Sequence, residues 1–374
     1  MRLTLCTFGT RGDVQPYLAL GKGLQRAGFQ MRIATSRYHE SLVRRHGLEF
    51  SALTDASPQE MLRSEGGMRW LENGGNLLAN LRAMHDLARD MLEEQPRVVL
   101  QLCEDSDALL YSVTTLLAVA PIAEKLGIPA AGAWLQPFHP TCAFPFFPLP
   151  EWPRHMPLGG RYNSLTYDLQ RRLSWHLMRD TFNAVRVRHL GLPPTRRPYD
   201  DQYQRLDPVV YGFSPQVIAK PADWDDRTAI SGYWFLQDEA WRPSEALLDF
   251  LQDGPAPVYI GFGSMMERDA GRTTEIILQA LHRTGLRAVL LGGWAGLGQR
   301  DLPDKVLRLD YAPHDWLFPR MRALVHHGGM GTAGAGLRAG RPALVIPHIA
   351  DQPFWARRLQ TMGVSPTPIP HSRL

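Results

Sequence analysis

The feature that most constrains this chain is a repeated alternation of a short apolar run, a glycine turn and an amphipathic helix. Arg2 to Phe8 is such a run, Gly9 and Gly12 mark the turn, and a helix is predicted from about Val14 to Ala27 with Gly28 as its stop. Gln30 to Thr35 reads as a second strand, followed by a helix through about Arg45. Ala108 to Val113, Thr115 to Leu126 and Ile128 to Leu135 repeat the order as strand, helix and strand. A second series begins near Pro257: strand Val258 to Phe262, helix Thr273 to Thr284 and strand Arg287 to Leu291. Val306 to Leu309, Ala323 to His326 and Ala343 to Ile346 follow as strands separated by helices, with a strand-like Val364 to Ile369 near the end. Strands that alternate with helices make parallel sheets covered on both faces. The expected class is therefore α/β, with two similar domains facing each other across a cleft. At 374 residues the chain has the length for two domains.

Between the two series the pattern breaks. Residues 54–76, rich in Gly, Ser and Glu, read as a mobile loop. From Trp134 to Gly160 prolines and aromatics crowd together, and Pro cannot supply ladder hydrogen bonds, so a loop is expected there. A polar helical segment, Tyr162 to Leu190, comes next, and Gln237 to Pro257, with Pro243, Gly254, Pro255 and Pro257, reads as an interdomain connection. The chain has no long internal repeat and no low-complexity tract.

Composition excludes several classes. Hydrophobic residues at 44% and charged residues at 21% describe a globular chain, not a disordered or collagen-like one. A net charge of +4 over this length does not mark a nucleic-acid binder, and only four of the 41 basic residues are lysine. Cys6, Cys103 and Cys142 offer neither zinc spacing nor a disulfide framework, which fits a reducing cytosol. The longest apolar run, Leu109 to Ala123, is too short to span a bilayer. A cytoplasmic protein is expected, with room for transient peripheral contact at a membrane surface. The oligomeric state is not legible.

Three glycine turns each follow a predicted strand, where open parallel sheets bind ligands. The first is Gly9-Thr10-Arg11-Gly12-Asp13-Val14-Gln15-Pro16, in which Asp13 reads either as a helix N-cap or as a catalytic carboxylate. The second, Gly261-Phe262-Gly263-Ser264-Met265, offers backbone N–H groups and the Ser264 hydroxyl to a phosphate. Neither the dinucleotide fingerprint nor the P-loop lysine motif is present. The third, His326-His327-Gly328-Gly329-Met330-Gly331-Thr332, is an anion-binding nest opening a helix. Neighbouring strand residues point to opposite faces, so the two histidines do not form a metal pair, and His326 is expected in the core. After the next strand, Asp351 and Gln352 suit sugar hydroxyls, while Asp351 equally fits a helix N-cap ahead of Pro353.

With these residues assembled, the chain resembles the UDP-glycosyltransferase superfamily of GT-B fold, and within it the sterol glucosyltransferases and related antibiotic glycosyltransferases. The segments that carry the resemblance are Gly9–Pro16, His314–Pro319 (HDWLFP), His326–Thr332 and Asp351–Trp355 (DQPFW), spread over nearly the whole length. The resemblance implies two Rossmann-like domains, residues 1–236 binding acceptor and 237–374 binding a nucleotide sugar. It implies metal-independent transfer of a hexose to a hydroxyl with inversion. Asp13 takes the place of the histidine base of plant members. An aspartate is a weak base, so burial beside an apolar acceptor or a concerted transfer is required. By the same likeness Thr10, Arg11 and Gly12 lie near the donor, and Ser264, His327, Gly329, Gly331 and Thr332 hold the diphosphate. Tyr311 and Ala312 meet the base, His314 lies near the nucleotide, and Asp351 and Gln352 read the sugar.

Ala335 stands where plant enzymes place a ribose-binding Glu, which leaves UDP against dTDP open; UDP-glucose is favoured and a dTDP-sugar is the alternative. No bound cofactor is expected. Phe138, Phe144, Phe146, Phe147 and Trp152 suggest an apolar wall for a sterol, macrolide or other polyketide, or carotenoid, with His139 as a hydrogen-bonding partner; each of these fits an ordinary core role equally well. A nucleotide-sugar 2-epimerase of the same fold and a non-catalytic nucleotide-sugar-binding helper are the competing functions. Members of this family run on for further helices, so the C-terminal end reads as shortened.

Overall fold

The structure, a computed structural model, describes residues 1–64, 67, 96–147, 149–153, 155–198, 207–265, 269–294 and 296–374. Two compact units follow one another, Met1–Trp234 and Phe235–Leu374.

In the first unit the described elements run β1 (Arg2–Cys6), α1 (Arg11–Arg26), β2 (Gln30–Ser36), α2 (Glu40–Arg45), β3 (Glu49–Thr54), α3 (Pro58–Arg63), α4 (Pro96–Cys103), β4 (Ala108–Tyr111), α5 (Leu116–Leu126), β5 (Ala130–Trp134), α6 (Gly159–Ala184), β6 (Val209–Tyr211) and β7 (Thr228–Ile230). The strands form one sheet in the order β3-β2-β1-β4-β5-β6-β7, and every pair is parallel. Leu3, Thr4, Leu5 and Cys6 of β1 are all buried. Successive strand residues point to opposite sides, so both faces of the sheet are covered. From β1 the chain builds outward through β2 and β3, then returns to place β4 on the other flank of β1. That reversal opens a crevice at the carboxyl ends of β1 and β4.

The second unit contains α7 (Glu245–Gln252), β8 (Val258–Gly261), α8 (Ala270–Thr284), β9 (Ala288–Leu291), β10 (Val306–Leu309), α9 (His314–Leu317), β11 (Ala323–His326), α10 (Met330–Arg338), β12 (Ala343–Val345) and α11 (Gln352–Thr361). Its parallel sheet has the order β10-β9-β8-β11-β12. Alternation along β8 feeds two cores. Val258 and Ile260 pack with Ile277 and Leu281 of α8, while Tyr259 packs with Leu247, Leu317, Phe318 and Ala335 on the opposite side. The switch point lies between β8 and β11, whose ends pair at Gly261 and His326.

Several expectations are corrected. The stretch 54–76 is not loop throughout: Pro58–Arg63 is a helix, capped by Ser57 Oγ accepting from the N–H groups of Gln59 and Glu60. The rest of that stretch lies largely outside the described residues. Gln237 to Pro257 carries helix α7, whose Leu247 is buried in the second unit's core. Val364 to Ile369 is not a strand. It is tied to β12 at its ends, by Ala343 N–H to Val364 O and Ile369 N–H to Val345 O, and between them Pro366 and Pro368 have no N–H to donate.

Candidate active site

In the first unit the candidate loop leaves β1 at the switch point. Helix α1 begins at Arg11, three residues earlier than its apolar pattern suggests, so Thr10 is the N-cap and Asp13 the third helical residue. The N-cap reading of Asp13 is thereby corrected. Its Oδ2 accepts from the Thr10 N–H at 2.9 Å and from Thr10 Oγ1 at 3.2 Å. Gly9 has φ +137°, and a Cβ there would lie 2.7 Å from the Asp13 Cγ. The carboxylate thus lies against position 9, and only glycine leaves it room. Arg11 Nε donates to Gln15 Oε1 at 2.9 Å. Pro16, inside the helix, has no N–H to offer the Gly12 carbonyl.

Residues far away in sequence fix this loop. His39, 2% exposed, places Nε2 3.0 Å from the Gly9 carbonyl. Burial holds its pKa below the ordinary value, so the ring is neutral, and the carbonyl, which only accepts, requires the proton on Nε2. Thr7 Oγ1 donates to the Asp13 carbonyl at 2.8 Å. Thr114, from the loop after β4, donates Oγ1–H to Phe8 O at 2.8 Å and accepts from Phe8 N–H at 3.3 Å. The lips of the crevice are stitched together by backbone-directed hydroxyls, a pairing that sequence spacing does not reveal.

The second unit gathers loops at the carboxyl ends of β9, β8, β11 and β12. His327 is wedged between two glycines: a Cβ on Gly263 would lie 2.9 Å from its Cε1, and one on Gly329 would lie 2.5 Å from its Nε2. Burial pushes the His327 pKa well down, reinforced by the imidazoles of His326, His348 and His314, so the ring is neutral. Its Nδ1 is enclosed with no hydrogen-bond partner among the described residues. His326 is fully buried, as expected, and its Nδ1 accepts the Gly328 N–H at 3.0 Å, fixing the glycine turn from below. Burial depresses its pKa to about 3. The first turn of α10 presents the N–H groups of Met330, Gly331 and Thr332 without intrahelical acceptors, and open space surrounds Gly331. Ser264 is half-buried in the loop after β8.

The loop after β12 is more committed than its sequence suggests. Gln352, 5% exposed, accepts from the His348 and Ile349 N–H groups at 2.8 and 3.1 Å and directs its Nε2 to Met265 Sδ at 3.2 Å. Its amide oxygen therefore shapes the loop. Asp351 stands at the N-cap of α11 but does not cap it; its Oδ2 accepts the Trp355 indole N–H at 2.7 Å. Ala350 has φ +55°, uncommon for a residue other than glycine. Tyr311 lies 3.4 Å through its hydroxyl from Asp238 Oδ2, Ala312 is buried, and His314 stacks on Phe318 with centroids 4.3 Å apart. Ala335 is buried in the core beside Tyr259. Two neighbours escaped sequence reasoning. The Trp294 N–H faces the Gly263 carbonyl at 3.4 Å, and His348 stacks on His371 at 4.2 Å. The Gly292-Gly293 pair was the available signal for the first.

The aromatic residues of the Pro-rich loop separate. Phe146 is buried among Phe138, Phe147 and Tyr167. His139 is occupied by Tyr211, whose hydroxyl lies 2.8 Å from Nδ1. Phe144 meets the edge of Trp224, and Trp152 donates its indole N–H to Pro157 O. Among the described residues no group of three or more His, Cys, Asp or Glu is placed to hold a metal, and no helix is long and apolar enough to cross a membrane.

Two known domain families match: the glycosyltransferase family 28 N-terminal domain over residues 3–145, and the erythromycin biosynthesis protein CIII-like C-terminal domain over 289–372. Sterol 3-beta-glucosyltransferases of Emericella nidulans and Aspergillus oryzae are each 36% identical over 378 aligned residues. Each match covers 97% of this chain but only 26% of the fungal protein, so the chain spans about a quarter of those relatives. In sequence the chain is similar to glycosyltransferases of the sterol and antibiotic branches, and its fold is the GT-B fold. Among solved structures, the kitacinnamycin glycosyltransferase superposes with a TM-score of 0.70 at 19% identity, covering 100% of this chain and 87% of that one. The calicheamicin glycosyltransferase superposes with a TM-score of 0.67 at 19% identity, covering 99% and 86%. At these identities the likeness is one of fold.

Proposed function

We propose that this chain is an inverting glycosyltransferase that moves a hexose, glucose foremost, from a nucleotide diphosphate to a hydroxyl of a lipophilic acceptor. Support comes from one coincidence above all. In each unit a glycine-turn motif follows a strand at the switch point of the sheet, the Gly9 to Asp13 turn after β1 in the first and the Ser264 and His327 turns after β8 and β11 in the second, where open α/β sheets take ligands. The relatives named as sterol glucosyltransferases make a sterol one acceptor class and glucose the first sugar to test, carried on UDP as the sequence resemblance favours. The other acceptor class to test is the macrolides and other polyketides that the sequence resemblance to antibiotic glycosyltransferases suggests; the fold is shared with a spinosyn rhamnosyltransferase solved with spinosyn aglycone.

In this mechanism Asp13 takes the proton of the acceptor hydroxyl as that oxygen attacks the anomeric carbon. The bond from that carbon to the diphosphate oxygen breaks, and the nucleotide diphosphate leaves with the bonding pair. Thr10 N–H and Oγ1 hold the carboxylate in one orientation. Charge developing on the diphosphate is met by the N–H groups opening α10, with Ser264, Thr332 and neutral His327 as further donors. Such main-chain donors are preorganised and supply this stabilisation without a metal. Asp351 and the Gln352 amide N–H contact the sugar, and Tyr311, Ala312 and His314 lie along the nucleotide.

The test is to incubate the chain with UDP-glucose and dTDP-sugars against sterols, macrolides, phenolics and carotenoids, reading products by mass. Asp13→Asn abolishes transfer while donor binding persists. No transfer to any hydroxyl sinks the proposal, and an epimerised sugar formed without acceptor replaces it with the 2-epimerase.

A further inference from the structure

Helix α6 departs on both faces from the usual apolar-in, polar-out division. At 26 residues it is about 39 Å long. Its inward face carries Asn163, Thr166, Tyr167, Gln170, Ser174, Met178 and Phe182, so four of seven buried positions are polar. Part of this polar face is tied to itself and to the neighbouring loop: Gln170 Nε2 donates to Ser174 Oγ at 2.9 Å and Asn163 Nδ2 to Cys142 O at 2.8 Å. The opposite face repeats every three or four residues as Arg161, Leu165, Leu169, Arg172, His176 and Arg179, all exposed. Leu165 is 64% and Leu169 45% exposed. Polar residues on the buried side and two large exposed leucines on the outer side blur the division that a surface helix of a globular protein usually keeps.

The segment leading into the helix continues the pattern, with Met156 45% and Leu158 61% exposed. Leu158 also has φ +72°. A left-handed backbone is costly for a bulky residue, and glycine is the usual occupant of such a site. Here a strained position presents a leucine to solvent. The charge on this face is basic. Asp168 is taken by Arg171 at 3.1 Å and Asp180 by Arg179 at 3.3 Å, whereas Arg161 and Arg172 make no ion pair among the described residues. Leucines interleaved with arginines along one stripe match a lipid headgroup layer, where alkyl groups enter the acyl boundary and guanidinium groups meet phosphates.

We propose that the outer face of α6, with Met156 and Leu158, docks on the surface of an anionic lipid bilayer. The inner face of the same helix packs on the Pro-rich aromatic loop, through Phe146 against Tyr167 with ring centroids 5.8 Å apart and Trp152 against Tyr162 at 5.0 Å. One element therefore touches both the bilayer and the loop considered for the acceptor, which suits an acceptor taken from a membrane. The docking surface stands whether or not the transferase proposal holds, because its test uses no donor sugar.

The experiment is co-sedimentation of the full chain with vesicles of phosphatidylcholine alone or with phosphatidylserine added, at low and high salt. Wild type sediments with the anionic vesicles, and salt releases it. Arg161→Ala with Arg172→Ala weakens that binding about fivefold for each arginine removed. Leu158→Gly with Leu165→Ser and Leu169→Ser abolishes it at either salt concentration, while thermal unfolding shows the variant folded, since Leu158→Gly relieves backbone strain. Wild type that stays in the supernatant with both vesicles overturns the proposal. So does a triple variant that sediments like wild type, or a dimer in solution that the leucine substitutions disperse without any vesicle binding.

Discussion

His326 makes the stability of the second unit depend on pH in a way that can be worked out. The buried ring is neutral, its Nδ1 accepting the Gly328 N–H, and burial holds its pKa at about 3. In the unfolded chain the same group titrates near 6.5. Between those values the unfolded state binds more protons, so stability is fully present above about pH 6.5 and falls as pH drops toward about 3. From pH 7.5 to 5.5 the unfolded imidazole gains protonation free energy of about 1.4 kcal/mol, and the folded one gains essentially none. That figure holds for any folded pKa well below 5.5. The perturbation is His326→Asn, which keeps a short acceptor for the Gly328 N–H and cannot titrate. Urea unfolding followed by tryptophan fluorescence at both pH values gives four free energies. Wild type should lose about 1.4 kcal/mol more than the variant on acidification. His39 and His327, also depressed by burial, contribute to both chains and cancel in the comparison. Equal losses in the two chains refute the neutral, buried assignment of His326.

Gly9→Ala should lower kcat at least tenfold and cost about 1–3 kcal/mol of stability, because the new methyl displaces the Asp13 carboxylate at a left-handed backbone position; product formation and thermal unfolding measure the two effects. Ala350→Gly should raise stability by about 0.5–1 kcal/mol by relieving φ +55° beside Asp351, read as an upward shift of the urea midpoint.

Short apolar strands were legible: β8 to β11 lie within a residue or two of where the pattern puts them, with a glycine turn close after β8, β9 and β11. The strands that were missed are short or half-polar. β6 and β7 have three residues each, and β3 reads Glu-Phe-Ser-Ala-Leu-Thr, so neither periodicity nor length separates them from loop. Helix α1 hid its first turn because Arg11, Gly12 and Asp13 carry no apolar signal, and with it went the distinction between an N-cap and the third helical residue. The identity of the loop residues was readable; their partners were not. His39 reaches Gly9 across 30 residues and Thr114 reaches Phe8 across 106, contacts that only the parallel register of the sheet brings about.

The imidazole of His327, clamped between Gly263 and Gly329, has a consequence for descent. Neither glycine can acquire a side chain while the ring is there, and any substitution of the ring leaves a gap that either could then fill. The three positions, drawn from the loops after two strands, form one unit of inheritance. A lineage that abandons the histidine opens a route to new residues at 263 and 329, and once those have arrived the path back to histidine is closed.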